Sequence, residues 1–288
     1  MKKKLNLLKR LLRVKQWIKN LFVFAPIVFA QKLVDGRCFI KVILAAILFC
    51  MVSSCVYILN DIVDIKKDML HPKKKLRPIA SGEISKKKAM MIVSVLFPIT
   101  IISGLYLDMG FGMVMIFYFL NNYLYSHYLK SKVIIDVLSI AIGFVLRVIA
   151  GAEVINVYIS PWILMCTLFL ALFLGLCKRR SEITTLGNEA ELTRENLGEY
   201  SISLIDNMAS IVISMTLTAY SVYTFFSQSD TYTMLLTVPI VIYGIFRYQY
   251  LVFRKNEGGS PEDTLLKDKP LILTIGLWGL VILFAIYL

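Results

Sequence analysis

Long apolar runs, each near the length of a membrane-crossing helix, fill most of this chain, and short polar stretches separate them. Nine runs can be placed, at residues 17–34, 40–64, 89–107, 110–128, 133–153, 161–178, 202–226, 232–251 and 271–287. A hydrocarbon core about 30 Å thick takes on the order of 20 apolar residues per helix. An open backbone inside it must satisfy its own hydrogen bonds, so each run is read as a helix. The first run is the least span-like, because its strongly apolar part is little more than Leu21–Ala30; a short, tilted or interfacial helix fits it equally. Pro161 suits the first turn of the sixth helix. The pattern predicts an all-α, polytopic membrane protein of about nine transmembrane helices. No second soluble domain is large enough to recognise, so 1–288 reads as one transmembrane domain, with 1–16 as a basic cytosolic N-terminal segment.

Composition strengthens the membrane reading. Of 288 residues, 58% are hydrophobic and 18% charged, more apolar surface than a water-soluble chain of this size readily hides. The net charge of +13 changes the picture through its placement. Nine basic residues crowd between the second and third runs: Lys66, Lys67, Lys73, Lys74, Lys75, Arg77, Lys86, Lys87 and Lys88. Lys130 and Lys132 follow the fourth run, Lys178, Arg179, Arg180 and Arg194 the sixth, and Arg254, Lys255, Lys267 and Lys269 the eighth. The alternate connectors carry only Lys32, Arg37 and Lys41. Such alternation puts the N-terminus and the basic face in the cytoplasm and the C-terminus outside a plasma membrane. It argues against nucleic acid as a partner and for anionic headgroups or phosphorylated substrates. Five cysteines without a CxxC pair, and only two histidines, support neither a disulfide framework nor a zinc site.

The densest chemistry lies at the end of the second run, in Asn60-Asp61-Ile62-Val63-Asp64-Ile65-Lys66-Lys67-Asp68. Steps of three or four residues put Asn60 or Asp61, Asp64 and Asp68 on one helical face. Three carboxylates at a membrane helix end are costly unless paired, hydrated or bound to cations. One reading is Mg²⁺ held by Asp61, Asp64 and Asp68 and shared with a diphosphate. The other is a solvated helix end where lysines offset aspartates. Pro72 and Pro78 then prevent a continuous helix and Gly82 permits a turn, giving a basic loop in which Arg77 can grip phosphate with two prongs. The lysines of that loop, Lys73 among them, serve a topogenic role equally well.

Asn60-Asp61-x-x-Asp64-x-x-x-Asp68, running on through His71-Pro72 and Arg77-Pro78-Ile79-Ala80-Ser81-Gly82, resembles the first signature of the UbiA-type intramembrane prenyltransferase superfamily. Within it the chain is most similar to the branch containing decaprenyl-phosphate phosphoribosyltransferase. Gln16-Trp17-Ile18-Lys19-Asn20, Tyr125 to Lys130 with Asp136, Gly143-Phe144-Val145-Leu146-Arg147, Lys178-Arg179-Arg180-Ser181-Glu182, Phe246-Arg247-Tyr248 and Ser260-Pro261-Glu262 extend the resemblance over nearly the whole chain. It implies a nine-helix fold around a central cavity open to the cytosol and to lipid. It also implies catalytic Asn60, Asp61, Asp64 and Asp68, and phosphate or substrate contacts from Lys19, Lys73, Arg77, Tyr125, Tyr128, Lys130, Lys132, Arg147, Lys178, Arg179, Glu182 and Arg194. Quinone-type members have a second Asp-rich motif for a further Mg²⁺, and this chain reads Lys178-Arg179-Arg180-Ser181-Glu182 there. That departure favours a polyphosphorylated sugar donor over a long allylic diphosphate.

Arg147, deep in the fifth run, must face inward and be paired, with substrate phosphate or with Glu153. Tyr125, Tyr128, Lys130 and Lys132 fit phosphate handling and also ordinary interfacial anchoring. Arg194 suits a phosphate contact or a solvated connector, and Asp206 and Arg247 suit interhelical pairing or a cavity. The implied reaction moves 5-phosphoribosyl from phosphoribosyl diphosphate to a polyprenyl phosphate with Mg²⁺, releasing pyrophosphate within the lipid bilayer. Prenyl transfer from a prenyl diphosphate to an aromatic or other small acceptor is the competing enzyme reading; a transporter or lipid-binding protein is the nonenzymatic one. Isoprenoid length and oligomeric state have no signature in the sequence.

Overall fold

A computed structural model describes residues 2–72, 74–187, 194–227, 231–255 and 257–287. Lys73 and residues 188–193 of the connector after the sixth run lie outside these. The described elements are α1 (Lys2–Leu11), a 3₁₀ helix (Val14–Phe24), α2 (Ala25–Phe29), α3 (Gly36–Val63), α4 (Ile65–Leu70), α5 (Lys86–Leu107), α6 (Met109–His127), α7 (Ile135–Glu153), α8 (Pro161–Leu186), α9 (Ile202–Phe226), α10 (Thr231–Leu235), α11 (Thr237–Lys255), α12 (Pro261–Lys267) and α13 (Lys269–Tyr287). Polar residues set the helix starts. Asp35 accepts from the backbone N–H groups of Arg37 and Cys38 at the head of α3, and Asp108 from that of Phe111 at the head of α6. Ser160 and Pro161 open α8.

Among the described residues, seven helices are long and apolar enough to cross a membrane, against the nine runs counted from sequence. The first run forms the 3₁₀ helix and the five-residue α2, because Lys19, Asn20 and Pro26 interrupt its apolar stretch. The fourth run is helical as α6, but Asn121, Asn122, three tyrosines and His127 keep it outside the seven. Lipid-facing stripes are plain. Met91, Val95, Ile99 and Ile102 follow helical spacing on α5, and all are exposed. The chain is an all-α, polytopic membrane protein.

Two compact units divide the contacts: residues 1–158 with 191–196, and 159–190 with 197–288. In the first unit, Phe49, Val52, Phe111, Met115 and Tyr118 form a core from α3 and α6. The 3₁₀ helix crosses α7 at Gly151, where a Cβ would lie 2.0 Å from the Val23 carbonyl oxygen, so only glycine permits the approach. In the second unit α8 packs on α9 and α11 on α13. Phe173 and Tyr248 meet edge to face at 5.7 Å, and Tyr220 donates to Thr237 while accepting from the Trp278 indole.

Candidate active site

The aspartates of the first unit stand where α3 gives way to α4. Asp64 interrupts the helix, yet helical hydrogen bonds run through it, from Asp64 N–H to Asn60 O at 2.9 Å and from Asp68 N–H to Asp64 O at 2.8 Å. Two turns apart, Asp61 and Asp68 therefore share a face, and both are buried. Their carboxylates converge on one atom, Arg77 Nη1, which donates at 3.1 Å to Asp61 and 2.6 Å to Asp68. Arg13 grips Asp61 as well, with Nε 3.3 Å from Oδ2 and Nη2 donating to Oδ1. Asp64 turns away to pair with Lys130. Asn60 Oδ1 accepts from Ser126 Oγ at 3.0 Å. Burial pushes the Asp68 carboxyl pKa up, against the opposing pull of Arg77.

Apolar anchoring holds the basic groups in place. Leu11 of α1 and Ile79 of the loop bury against Cys55, Ile58 and Ile62 of α3, so both segments are pinned beside the aspartates. The loop closes through Gly82, at φ +77°, and through Ile84 N–H donating to Pro78 O. Arg10 forks onto Glu83 at 3.0 and 2.7 Å and also donates to the Leu76 carbonyl. Ser54 Oγ donates to Leu12 O at 2.9 Å and accepts from the Trp17 indole at 3.1 Å. Between these fixings Arg13 takes a left-handed conformation, φ 51° and ψ 48°, which aims its side chain at Asp61.

A second basic group adjoins this cluster. Arg194 Nη2 donates to Tyr125 OH at 2.5 Å and lies 3.8 Å from Asp136, while its Nε donates to Lys130 O at 3.2 Å. Lys132 and Tyr128 are exposed near it, and Ile134 beside them holds a positive φ of 68°, a strained conformation for a β-branched residue. Lys19 is half-buried on the 3₁₀ helix. Arg147 is buried and donates to Asn20 Oδ1, Gly143 O and Tyr118 OH at 2.8, 2.6 and 2.8 Å. The pairing with Glu153 weighed from sequence does not form, and rings of Phe49, Tyr118 and Phe144 surround the guanidinium instead.

Lys178, Arg179 and Glu182 belong to the second unit, on the last turns of α8. Arg179 is buried and pairs with Glu182 one turn on, at 2.6 Å. Arg180 pairs with Asp206 of α9 at 2.8 Å, and Arg247 with Asp268 at 2.8 Å. Interhelical pairing, of the two roles considered for Asp206 and Arg247, is what forms. Sequence reasoning missed Arg13 and Ser126. Arg13 stands three residues before Gln16 in a segment of many basic residues, and nothing in its position separates it from topogenic charge.

Among the described residues no three Asp, Glu, His or Cys side chains gather as a cage for a metal. Mg²⁺, however, is commonly held by one or two carboxylates plus substrate phosphates. Two carboxylate oxygens, from Asp61 and Asp68, meet at the Arg77 guanidinium, and they fit that arrangement once the guanidinium gives up the point to a cation. The residues therefore suit a divalent cation shared with a diphosphate.

A model of the UbiA prenyltransferase family matches residues 21–267. The chain is 30% identical over 286 residues to a decaprenyl-phosphate phosphoribosyltransferase of Corynebacterium glutamicum, covering 96% of this chain and 86% of that protein. It is 27% identical to the one of Mycolicibacterium smegmatis, covering 96% and 91%. Among solved structures, a UbiA homolog from Archaeoglobus fulgidus bound to GPP and Mg²⁺ superposes with a TM-score of 0.73 at 17% identity, over 97% of this chain and 99% of that one.

Proposed function

The chain belongs to the UbiA prenyltransferase family and is similar to its decaprenyl-phosphate phosphoribosyltransferases, and from that premise we propose that it transfers 5-phosphoribosyl from phosphoribosyl diphosphate to a polyprenyl phosphate. The observation that carries this reading is the meeting of Asp61 and Asp68 on one point, with Arg13, Arg77 and Lys130 against the acids. Acidic groups suited to a metal–diphosphate and cations suited to its free oxygens thus lie side by side. The relatives supply the choice of donor and acceptor.

In this reading Asp61 and Asp68, with Asp64 beside them, would hold Mg²⁺, which would supply positive charge against that growing on the departing diphosphate. Asn60, fixed by Ser126, orients that acidic edge. Arg77, Lys130 and Arg194 hold phosphate oxygens of donor and acceptor, with Lys19, Lys73, Tyr125, Tyr128 and Lys132 as further contacts. Arg147 fixes the 3₁₀ helix to α7 through Asn20, and Lys178, Arg179 and Glu182 stand in the sequence where quinone-type members have the second acidic motif. The C1–O bond to diphosphate breaks with its electron pair going to pyrophosphate, and an acceptor phosphate oxygen bonds C1. That oxygen is already anionic, so alignment replaces proton removal and no general base is required. The lipid tail stays in the bilayer throughout. One catalytic domain over 1–288, nine helices about a central cavity, a cytosolic N-terminus and reaction face, and an external C-terminus complete the proposal. The placement of Lys and Arg supports that orientation.

Purified protein in detergent, given labelled phosphoribosyl diphosphate, polyprenyl phosphate and Mg²⁺, is expected to yield labelled lipid, and Asp64→Asn to abolish the yield while remaining folded. Prenylation of an aromatic acid without any labelled lipid would instead assign the competing reaction.

A further inference from the structure

Arg13 lies over the very carboxylate that the metal reading needs. Asp61 Oδ1 accepts from both Arg13 and Arg77, and Oδ2 accepts from Arg13. The cations sit outermost: the Arg13 and Arg77 side chains are 18% and 24% exposed, that of Asp61 only 4%. The two arginines differ in how they are tied. Arg77 bridges Asp61 and Asp68, whereas Asp61 is the only carboxylate among the described residues that Arg13 pairs with. The Arg13 backbone is fixed on both sides, by Ser54 on Leu12 O and by Gln16 N–H on Arg13 O, while its guanidinium lies 5.1 Å above the Tyr57 ring. A fixed Cα, a side chain at the surface and a flat platform beneath it allow the guanidinium to pivot with little else moving. The left-handed backbone of Arg13 persists because its surroundings hold it.

We propose that Arg13 is an exchangeable counter-ion, which neutralises Asp61 when no ligand is bound and passes to a diphosphate oxygen when a divalent cation replaces it. The proposal rests on the metal–diphosphate reading of the site and adds a rule for how the two ligands bind. Metal alone must displace Arg13 from Asp61 and draw Arg77 from the point where Asp61 and Asp68 meet. Diphosphate alone draws Arg13 away and leaves a buried carboxylate short of a partner. Together they satisfy every charge, so each tightens the other, and by the same factor.

The test uses the purified full-length chain in detergent with Mn²⁺ and inorganic pyrophosphate as probes. Bound Mn²⁺ is followed by electron paramagnetic resonance, pyrophosphate by calorimetry, and both are corrected for their association in solution. In the wild type each probe is expected to tighten the other about tenfold. In Arg13→Gln, Mn²⁺ alone is expected to bind about tenfold tighter, pyrophosphate to bind more weakly, and the coupling to fall to the part that Arg77 carries. These opposite signs separate an exchange role from a structural one, which would weaken both. Equal weakening of both probes, or wild-type coupling in Arg13→Gln, would overturn the role of Arg13 and leave the site reading intact. A wild type without metal-dependent pyrophosphate binding would overturn the site reading itself. Should Arg13→Gln fail to fold, Arg13→Lys keeps the charge and loses the two-pronged grip. It is expected to show the same signs at smaller size, and unaltered coupling there would refute the exchange.

Discussion

The two units use ion pairs in opposite ways. In the second, Arg179 pairs with Glu182 a single turn away on its own helix, and Arg180 reaches Asp206 on the helix packed beside it. Each cation there has a nearby acid and fixes helix geometry. In the first unit, Asp61, Asp64 and Asp68 draw on cations from three separate segments: Arg13 after α1, Arg77 in the loop, and Lys130 after α6. Several of these contacts sit at a partly exposed surface. Pairs of the first kind stiffen a fold. Those of the second are poised to be traded for ligand charges, because both partners remain in place when the contact opens.

Substitutions can break that contrast, and the largest effect belongs to the acids of the first unit. Asp61→Asn or Asp64→Asn is expected to lower transfer activity by about 10²-fold or more, as loss of a group acting on transition-state charge does. The elution profile and thermal midpoint should stay near wild type, and a large fall in the midpoint would make the acids structural. In the second unit the order reverses. Arg180→Ala is expected to cost roughly 1–3 kcal/mol of stability by stranding Asp206, while metal-dependent pyrophosphate binding is retained. Thermal melts of the single and double variants with Asp206→Asn would measure the coupling of the pair.

Acidity sharpens the comparison further, since the two regions carry aspartates of opposite sign. Burial raises the Asp68 pKa above the ordinary 3.8, so its share of stability is full below that value and is lost as pH rises through the raised one. The Arg247 guanidinium lowers the Asp268 pKa below 3.8, so its share is present above that value and is lost as pH falls through the lowered one. In melts across the acid range, Asp68→Asn should flatten the decline toward higher pH and Asp268→Asn the decline toward lower pH. Matching slopes in both variants would contradict the assignment. Least of all is expected from Glu83→Gln, whose partner Arg10 is similarly exposed: a barely changed midpoint, because exposed pairs add little.

The sequence revealed the membrane class, the positions of most helices and the acid stripe, since each is written in local periodicity. Asp61 and Asp68 are seven residues apart, and helix geometry alone joins them. It did not reveal the partners. Arg13 meets Asp61 across 48 residues of chain and Lys130 meets Asp64 across 66, separations set by packing rather than spacing. The form of the first run was not legible because apolar composition does not distinguish a 3₁₀ segment packed on α7 from a helix in lipid. Asp206 and Arg247 stayed ambiguous for a related reason: each has its partner on another segment.

Ser54 has a practical consequence. Its single hydroxyl ties Leu12 and Trp17 to the middle of α3, so the register of the N-terminal segment against the acids is set to within a residue. One residue inserted between Arg10 and Arg13 would turn the second about 100° relative to the first if the helix continued. Glu83 and Asp61 could then no longer be met together, so the three-residue step from Arg10 to Arg13 tolerates no insertion.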